Sequence, residues 1–488
     1  MTKEEHSDDQ EYAPKLSVEH RKYLLGKHGR FDLDPLPSVN DEDPLNWPLL
    51  LKSAQLAMVA FHAFTCTFMA AGLIPSFALL AAEFDITITQ CSYLTSAQII
   101  VLGVFPFVWM PVMNRYGRLQ LLLLSTLGSM VCNIGCMYAK SYASLMTCRV
   151  LGAFMISPAV AVGGPVVAEV SFSYQRGSRT GWWAVMITIG THFGPFLMGF
   201  VEKQTGETKN VFLIFAVMNA VQFLAYLIIG RETVYDQSVW YPGINKLWKI
   251  TKKRTMQPLS WYVFLSPLEC FLLPKVLLAT IAYSVCFAYS NVALGVELTG
   301  LYHEKYGFDP QQIGLQFVGL ILGALFGEQL GGWMSDLWMS RKINRDTNMI
   351  TKCSGEPPEY RLWLSYIGFA GCVVGTVVYG VFLERNSEWT IVPVVGLAIA
   401  SFGLQIITTV LITYCIDTIP AKASDVSLFI TLLRQVYGFI GPFYFPVMLE
   451  NPNLGIKGTY SLLAGLMVVF GFVPTLILHI FQRKAPKS

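Results

Sequence analysis

The stretch GTHFGPFLMG, Gly190 to Gly199, lies inside a long, mostly apolar run from 182 to 201. A proline in a helix interior costs about 3 kcal/mol, and each glycine costs about 1 kcal/mol relative to alanine. In a membrane, small residues compensate by letting a neighbouring backbone approach closely, and a proline bends the helix. We therefore expect Gly190, Gly194 and Gly199 to make a close helix contact on a helix that bends at Pro195.

The composition around this stretch is that of a polytopic membrane protein. Of the 488 residues, 53% are hydrophobic and only 14% are charged, and the mean hydropathy is +0.48. A soluble chain carries about a quarter charged residues, and a bilayer crossing needs about 20 apolar residues. The sequence predicts twelve crossings, numbered as spans 1 to 12, at 52–82, 91–113, 120–139, 143–169, 180–201, 210–229, 275–300, 310–335, 362–383, 391–414, 426–447 and 459–480.

Lysine and arginine residues are distributed unequally between the loops. If the N-terminus is cytosolic, 27 of the 35 basic residues fall on the cytosolic side and 6 on the other. Because basic loops remain in the cytosol, we predict that both termini are cytosolic. The net charge of +3 then reflects topology and not nucleic-acid binding. No cleaved signal peptide is expected, and the ten cysteines show no extracellular disulfide framework. Cys132 and Cys136 of span 3 have a spacing that could face a metal, but no His or carboxylate in that span supports a metal site, and packing is favoured.

The longest internal hydrophilic segment divides the predicted spans six and six. The sequence therefore predicts an N-terminal tail, a six-helix bundle, a cytosolic linker, a second six-helix bundle and a C-terminal tail, at 1–51, 52–229, 230–274, 275–481 and 482–488. Unusual residues recur in the two bundles. Gly194–Pro195 of span 5 is matched by Gly441–Pro442 of span 11, and Glu169 after span 4 is matched within one residue by Asp417 after span 10. Such an internal repeat favours a transporter over a membrane-bound enzyme.

Four short motifs occur in order along the chain. They are DPLNWP at 43–48, NRYGR at 114–118, G-x-x-x-G-P-x-x-x-G at 190–199 and EPPEYRL at 356–362. Together they resemble the major facilitator superfamily, and within it the fungal twelve-span drug:proton antiporters. Asn114 stands where that family usually has an aspartate, and Met198 stands where it has a glycine. The resemblance implies an all-α membrane protein with twelve transmembrane helices in two six-helix halves.

The resemblance also implies two places that control conformation. The NRYGR turn is a latch that Glu169 or span 11 holds in the outward-open state, with Asp336 after span 8 as the counterpart of Asn114. The glycine-proline contact of span 5 lies between the halves and seals one side of the cavity. The residues assigned to these conformational motifs are Asn114, Arg115, Gly117, Arg118, Glu169, Gly190, Gly194, Pro195, Gly199, Asp336, Asp417, Gly441 and Pro442.

Ionisable residues inside the predicted spans are candidates for the substrate and proton pathway, because a charge in the bilayer is costly. Arg149 in span 4 needs water or a partner, unless its side chain snorkels to the outer surface. Arg434 in span 11 has Glu328 of span 8 as a predicted counter-ion. Span 1 contains no carboxylate, so the candidate proton carriers are His62, His192 and Glu328. A lone intramembrane histidine is as often a packing residue as a proton carrier.

By resemblance, spans 1, 4, 7 and 10 surround the substrate cavity. They offer His62, Arg149, Asn291 and Gln405, and span 2 adds Gln98. Amide and aromatic side chains around an apolar cavity suit amphipathic solutes. The sequence thus predicts that a lipid bilayer, protons and a small amphipathic molecule are the partners of this chain.

The predicted function is secondary active transport by alternating access. No G-x-x-x-x-G-K-[ST] motif occurs, so ATP does not drive it directly. The resemblance implies proton-coupled efflux of drugs, toxins or secondary metabolites across the plasma membrane, with no cofactor and no metal. The alternatives are a proton-coupled importer of polyamines, cations or a nutrient, and a sensor that no longer transports. An enzyme is not expected, because no paired His or Asp motif lies at the end of a span.

Overall fold

The computed structural model describes residues 17–29, 33–235, 260–346, 361–419 and 422–482, with the side chains of 173–174, 176–178, 332–346 and 481–482 left aside. Helices dominate this part of the chain, which confirms the all-α fold class. The helices are α1 Val18–His28, α2 Leu49–Ala71, α3 Phe77–Phe84, α4 Ile88–Val104, α5 Pro106–Tyr116, α6 Arg118–Met137, α7 Tyr142–Ile156, α8 Ala159–Val170, α9 Ser173–Thr205, α10 Lys209–Ile228, α11 Trp261–Leu265, α12 Pro274–Phe287, α13 Ala293–Val296, α14 Leu298–Tyr306, α15 Pro310–Asp346, α16 Leu362–Arg385, α17 Val392–Thr418, α18 Ala423–Leu449, α19 Gly455–Met467 and α20 Val473–Gln482.

Within the described residues, eleven helical segments are long and apolar enough to cross a membrane. A twelfth crossing results if α4 and α5 count as one span, and this agrees with the twelve predicted. These two helices meet at an angle of 43° across Phe105. Pro106 begins α5 and lacks a backbone donor, which accounts for the bend.

The DPLNWP motif forms a capped turn that leads the chain into α2. Asp43 is buried, and its carboxylate accepts hydrogen bonds from the amides of Leu45 at 2.9 Å and Ser38 at 2.8 Å. The Asn46 side chain donates to the carbonyl oxygens of Ser38 and Asn40, both at 2.7 Å. These bonds satisfy backbone groups that a loop would leave open. The motif is therefore a structural device at the entry of the first span.

Two spans contain a π-helical turn, which holds one more residue than an α-helical turn. One turn, Ala288–Val292, joins α12 to α13, and the other, Val468–Phe472, joins α19 to α20. The first turn packs near the end of α19, where Ser290 Oγ donates to Met467 Sδ at 3.2 Å. Asn291 lies within the first turn.

The helices before residue 230, called here the first half, meet the helices after residue 274, the second half, along two seams. In one seam α9 packs on α15, and in the other α4 packs on α18. Within the first half α2 packs on α9, and within the second half α17 packs on α15. Helices further out, such as α10, expose apolar side chains, as a lipid-facing surface requires.

The two ends of the bundle are distinguished by their loops. The end that carries α1 and Gly117 is called here the tail end, and the end that carries Gly206 and Gly307 is called the far end. Part of the predicted linker is helical, because α11 and the 3₁₀ turn Ser266–Leu272 pack at the tail end. The basic cluster at 246–254 lies outside the described residues.

Candidate functional site

A cavity of about 110 Å³ lies at the centre of the bundle, between the two halves. Its walls come from α2, α4 and α9 of the first half and from α12, α13, α15, α17 and α18 of the second. Apolar side chains are interspersed with hydroxyl and amide groups, an arrangement that suits an amphipathic solute. The polar lining residues are Thr67, Thr95, Thr188, Thr191, His192, Asn291, Ser401, Gln405, Thr408, Arg434 and Gln435.

Arg434 brings a positive charge to this cavity. Its Nη1 donates to the Tyr283 hydroxyl at 3.0 Å, and its guanidinium lies 4.9 Å from the centroid of the Phe287 ring. Contact with an aromatic face stabilises a cation in an apolar surrounding. The Nε atom is buried and has no hydrogen-bond partner among the described residues. Arg434 can therefore offer a positive charge to a bound solute.

Glu328 belongs to a chain of polar side chains that crosses between the halves. Gln405 Nε2 donates to Glu328 Oε2, and Thr409 Oγ1 donates to the same oxygen at 3.3 Å. On its other side, Gln405 Oε1 accepts from Thr188 Oγ1 of α9 at 3.4 Å. The predicted pairing of Glu328 with Arg434 is wrong, because each group has a different partner. Glu328 lies behind Gln405 and does not itself line the cavity.

The two histidines predicted as proton carriers lie in different surroundings. His192 lines the cavity, whereas His62 is fully buried between α2 and α10. His62 Nδ1 is 3.2 Å from the Tyr226 hydroxyl, and the two rings pack edge to face. The predicted position of His62 in the cavity is therefore wrong. Gln98 is also buried outside the cavity lining.

Arg149 is buried inside the first half and does not line the cavity. Its Nη1 donates to the Met69 carbonyl oxygen at 3.2 Å, in the last turn of α2. A cation at that position is favoured by the partial negative charge of a helix C-terminus. Both sequence-based alternatives, a cavity position and snorkelling to the surface, are wrong, because a helix end inside the protein supplies the partner.

The NRYGR stretch closes the tail end of the first half. Arg118 Nη1 donates to Glu169 Oε2 at 2.7 Å, and Arg118 Nη2 donates to Asn114 Oδ1 at 3.2 Å. The guanidinium of Arg115 lies 5.6 Å from the centroid of the Tyr116 ring. Asn114 thus accepts a hydrogen bond where a carboxylate would form an ion pair. The helices that these bonds join, α5, α6 and α8, all belong to the first half.

Gly117 begins α6 with a φ of +99°, a conformation that favours glycine. A methyl group here would lie 2.6 Å from Glu232 Oε2. Glu232 accepts hydrogen bonds from the amides of Leu119 at 3.1 Å and Val234 at 3.0 Å. It therefore caps α6 from a segment that follows α10. Glu232 is not among the predicted site residues, because the residues after span 6 belong to the predicted linker.

The counterpart of this contact in the second half is only partly described. Asp417, in the last turn of α17, forms an ion pair with Arg361, whose Nε is 3.2 Å from Asp417 Oδ2. Arg361 belongs to the EPPEYRL motif, of which 356–360 lie outside the described residues. The side chain of Asp336 also lies outside them.

The glycines of the opening stretch contact two different helices. A methyl group on Gly190 would overlap the Phe64 carbonyl oxygen of α2, and one on Gly194 would lie 2.5 Å from the Phe68 carbonyl oxygen, also of α2. These two glycines pack within the first half. The prediction that they lie between the halves is therefore wrong.

Gly199 makes the contact between the halves. A methyl group on it would overlap the Pro310 carbonyl oxygen and lie 3.2 Å from the Cα atom of Gly314, both on α15. A methyl group on Gly314 would in turn lie 2.9 Å from the Pro195 carbonyl oxygen. The two helices thus touch backbone to backbone near the far end.

Polar contacts reinforce this closure at the far end. Lys203 Nζ of α9 lies 2.8 Å from Asp309 Oδ2, just before α15. Thr299 Oγ1 of α14 donates to the Ile74 carbonyl oxygen at 2.8 Å, from the second half to the first. These two contacts and the Gly199 contact are called here the far-end seam. Together they close the far end in this conformation.

Gly441 and Pro442 repeat the sequence of span 5 but not its contact. A methyl group on Gly441 would meet the ring of Phe445 on the same helix. The packing of α18 on α4 uses other residues: a methyl group on Gly103 would lie 2.6 Å from Gln435 Cβ. Gly441 therefore does not repeat the close backbone contact that the glycines of span 5 make.

Residues 58–442 match the family model of the Major Facilitator Superfamily, a range that includes the cavity, the latch and the far-end seam. The chain belongs to the major facilitator superfamily. It is therefore a transporter and an integral membrane protein, and the predicted resemblance to this superfamily is confirmed. The described residues of this chain contain no cluster of His, Cys, Asp and Glu that could hold a metal ion.

This superfamily member is similar to fungal transporters over most of its length. It is 25% identical to the efflux pump radE of Floropilus chiversii over 457 residues, which cover 90% of this chain and 82% of that one. It is 24% identical to the "Probable efflux pump mfs2" of Aspergillus flavus, with 83% and 96% covered. It is 26% identical to the MFS-type transporter MFS19 of Alternaria alternata, with 89% and 90% covered.

Solved structures of major facilitator proteins share the fold. The human organic anion transporter MFSD10 superposes with a TM-score of 0.58 at 14% identity, covering 88% of this chain and 100% of that one. A bacterial homologue of the human lysosomal transporter Spinster, in an inward-facing and unoccupied conformation, also gives 0.58 at 14% identity, covering 90% and 100%. These similarities support the twelve-helix major facilitator architecture.

Proposed function

We propose that this transporter exports amphipathic small molecules, such as drugs, toxins or secondary metabolites, in exchange for protons. The observation that carries the proposal is the central cavity, where Arg434, Asn291 and Gln405 supply polar contacts among apolar walls. Two of the similar fungal chains are named efflux pumps, which supports the outward direction.

The proposed cycle is alternating access between the two halves. In the present conformation the far-end seam closes the cavity on one side. Because most basic residues belong to segments predicted on the cytosolic side, the tail end and both termini are assigned to the cytosol, and the far end faces outward across the plasma membrane. Solute would then leave when the halves separate at the far-end seam.

Glu328 is the proposed proton carrier, and His192 is a second candidate in the cavity. An ionised carboxylate only accepts hydrogen bonds, whereas a protonated one also donates. Protonation of Glu328 would therefore allow it to donate to the Gln405 side-chain oxygen, with the Gln405 amide turned over. Because Gln405 also binds Thr188 of the first half, this turn would change a contact between the halves. Proton binding and the position of the halves are coupled in this way.

The energy of one proton suffices for this task. A membrane potential of 100 mV contributes about 2.3 kcal/mol and one pH unit about 1.4 kcal/mol. The total of about 3.7 kcal/mol supports roughly a 500-fold gradient of solute.

The alternative is proton-coupled import of polyamines or other cations. The described lining residues include Arg434 and no carboxylate, so a polycation would meet a like charge there. This observation favours export of neutral or anionic amphipathic molecules over import of polycations.

The test measures accumulation of a panel of fluorescent drugs and radiolabelled polyamines in cells that express the chain. We expect lower drug accumulation than in cells without it, reversed by a proton uncoupler and lost in Glu328→Gln. Gln329→Ala is the matched control, because Gln329 is the exposed next residue of the same helix. Export that persists with the uncoupler would refute proton coupling, and higher polyamine accumulation would identify an importer.

A further inference from the structure

Glu202, in the last turn of α9, is buried without a hydrogen-bond partner. The residue is only 1% exposed, and neither carboxyl oxygen accepts or donates a hydrogen bond among the described residues. The Ser76 hydroxyl faces it from the turn Ile74–Ser76, but not in hydrogen-bond geometry, and this hydroxyl is itself buried and unpartnered.

The charged groups around Glu202 do not supply a counter-ion. Glu83 of α3 is a second carboxylate, and it accepts from Thr208 Oγ1 at 2.6 Å. Lys203, the next residue of α9, binds Asp309 across the far-end seam. Within the described surroundings, Glu202 therefore faces a hydroxyl and another acid.

An ionised carboxylate in such a place is very unfavourable. Burial of an unpaired charge costs several kcal/mol even after the protein relaxes, so a buried acid without a cation binds a proton instead. A protonated carboxyl group is neutral and can donate to a nearby hydroxyl. The closed far end is thus compatible with Glu202 only in its protonated form.

Glu202 lies directly behind the far-end seam. The turn Ile74–Ser76 packs against both α9 and α15, and its Ile74 carbonyl oxygen accepts the hydrogen bond from Thr299. Separation of the halves at this end removes α14 and α15 from the outer side of the turn. Water would then reach the turn and the last turn of α9, where an ionised Glu202 is stable.

We propose that Glu202 is a proton-binding site that controls the far-end seam. The carboxyl group takes a proton from the water outside, and only the protonated form allows the seam to close. Opening of the seam releases the proton to the same side. The inference rests on the alternating access of the proposed function. It gives outside acid a direct role in closing the far end, whether or not Glu328 carries the coupled proton.

The test measures the state of the far end directly, with no substrate and no proton gradient. Full-length protein in lipid nanodiscs carries spin labels on ketone amino acids at Glu207 and Glu304, two exposed positions on opposite halves at the far end. This attachment leaves the native cysteines unlabelled. Pulsed electron resonance then gives the distance distribution between pH 5 and pH 8.

We expect the ratio of open to closed far ends to rise with pH in the wild type, by up to about tenfold per pH unit for one proton. Glu202→Gln, which stays neutral, should hold the far end closed with a change of less than about twofold over the range. Glu202→Asp, which still titrates, should keep a pH dependence. Glu83→Gln is the matched control: it keeps the titrating Glu202 and removes a neighbouring negative charge, so it should keep the pH dependence with the midpoint at a lower pH.

A wild-type pH response in Glu202→Gln would overturn the proposal. The proposal would also fail if the wild type opens and closes with a ratio of open to closed far ends that does not change with pH. These outcomes are separate from those of the export test. A flat response in Glu202→Gln together with uncoupler-resistant export would retain the proton site and refute proton-driven export. A wild-type pH response in Glu202→Gln together with uncoupler-sensitive export would refute the proton site at Glu202 and retain proton-driven export.

Discussion

Arg118 and Glu169 form an ion pair of 2.7 Å at the tail end, and the arginine of this pair is only 5% exposed. Both residues belong to the first half, so the pair holds α6 against α8 and does not itself join the two halves. Asn114 adds a neutral acceptor to the same guanidinium. The role of the ion pair is therefore to fix the shape of the first half, so that its tail end can meet the second half in a defined way.

Glu169→Gln should destabilise the protein, because it leaves the buried Arg118 without its charged partner. Removal of one member of a buried pair costs about 3 to 5 kcal/mol, whereas replacement of both by apolar residues is often neutral. We expect a lower thermal midpoint in detergent for Glu169→Gln than for the double variant Arg118→Met, Glu169→Met. Equal midpoints for the two variants would show that the pair is not energetically coupled.

Gly199→Ala should loosen the far end, because its methyl group would overlap the Pro310 carbonyl oxygen. The expected cost to the closed state is about 1 to 3 kcal/mol, the usual range for overpacking. The spin-label distance at the far end should therefore lengthen at every pH. Gly181→Ala is the control on the same helix, since a methyl group there meets nothing within 4 Å. A short distance in Gly199→Ala would mean that α15 adjusts without opening.

Asp309→Asn should weaken the far-end seam without changing its pH dependence. Partial burial raises the pKa of Asp309, but hydrogen bonds from Lys203 and from backbone amides lower it by more, so the net pKa lies below the ordinary 3.8. A lowered carboxyl pKa means that the ion pair is present above that value and is lost only as the pH falls through the lowered pKa. The variant should favour the open state to the same extent at every pH between 5 and 8. A changed slope would assign the pH response to Asp309 and not to Glu202.

Arg434, which lines the cavity, and Arg149, which is buried outside it, should respond differently to replacement by methionine. Arg434→Met should raise the KM for an exported drug by about tenfold or more, the value of one charged hydrogen bond. Arg149→Met should leave the KM within about twofold, because Arg149 contacts Met69 and not the cavity. Transport kinetics in vesicles that contain equal amounts of each variant would check this. A large change of KM in Arg149→Met would place that residue in the pathway.

The sequence predicted the helices better than the directions of their side chains. Apolar windows mark membrane crossings because lipid imposes them, and so the twelve crossings were predictable. The hydrogen-bond partner of Arg149 was not predictable, because the end of α2 reaches Arg149 only through tertiary packing. The same limit applies to Gly190 and Gly199, which lie on one helix but contact different neighbours.

Acids at helix ends were missed for a related reason. The apolar window of span 5 ends at 201, so Glu202 falls outside the predicted span, although α9 continues to Thr205. Glu232 was likewise assigned to the linker, although it caps α6. A search based on hydropathy stops at the first charged residue, and a buried acid in the last turn of a helix then falls outside the span.

The π-helical turn Ala288–Val292 has a genetic consequence. Loss of one residue from this turn would leave an ordinary α-helical turn and keep the helix beyond it in nearly the same rotation, because the π-helical turn already holds one extra residue. Asn291 lies in this turn and lines the cavity, and Thr299 lies beyond it and binds Ile74. A single-codon deletion in this turn would therefore change the solute site at Asn291 and leave the outer closure at Thr299 in place. The same deletion in an α-helical part of the span ahead of Thr299 would rotate Thr299 by about 100° away from Ile74.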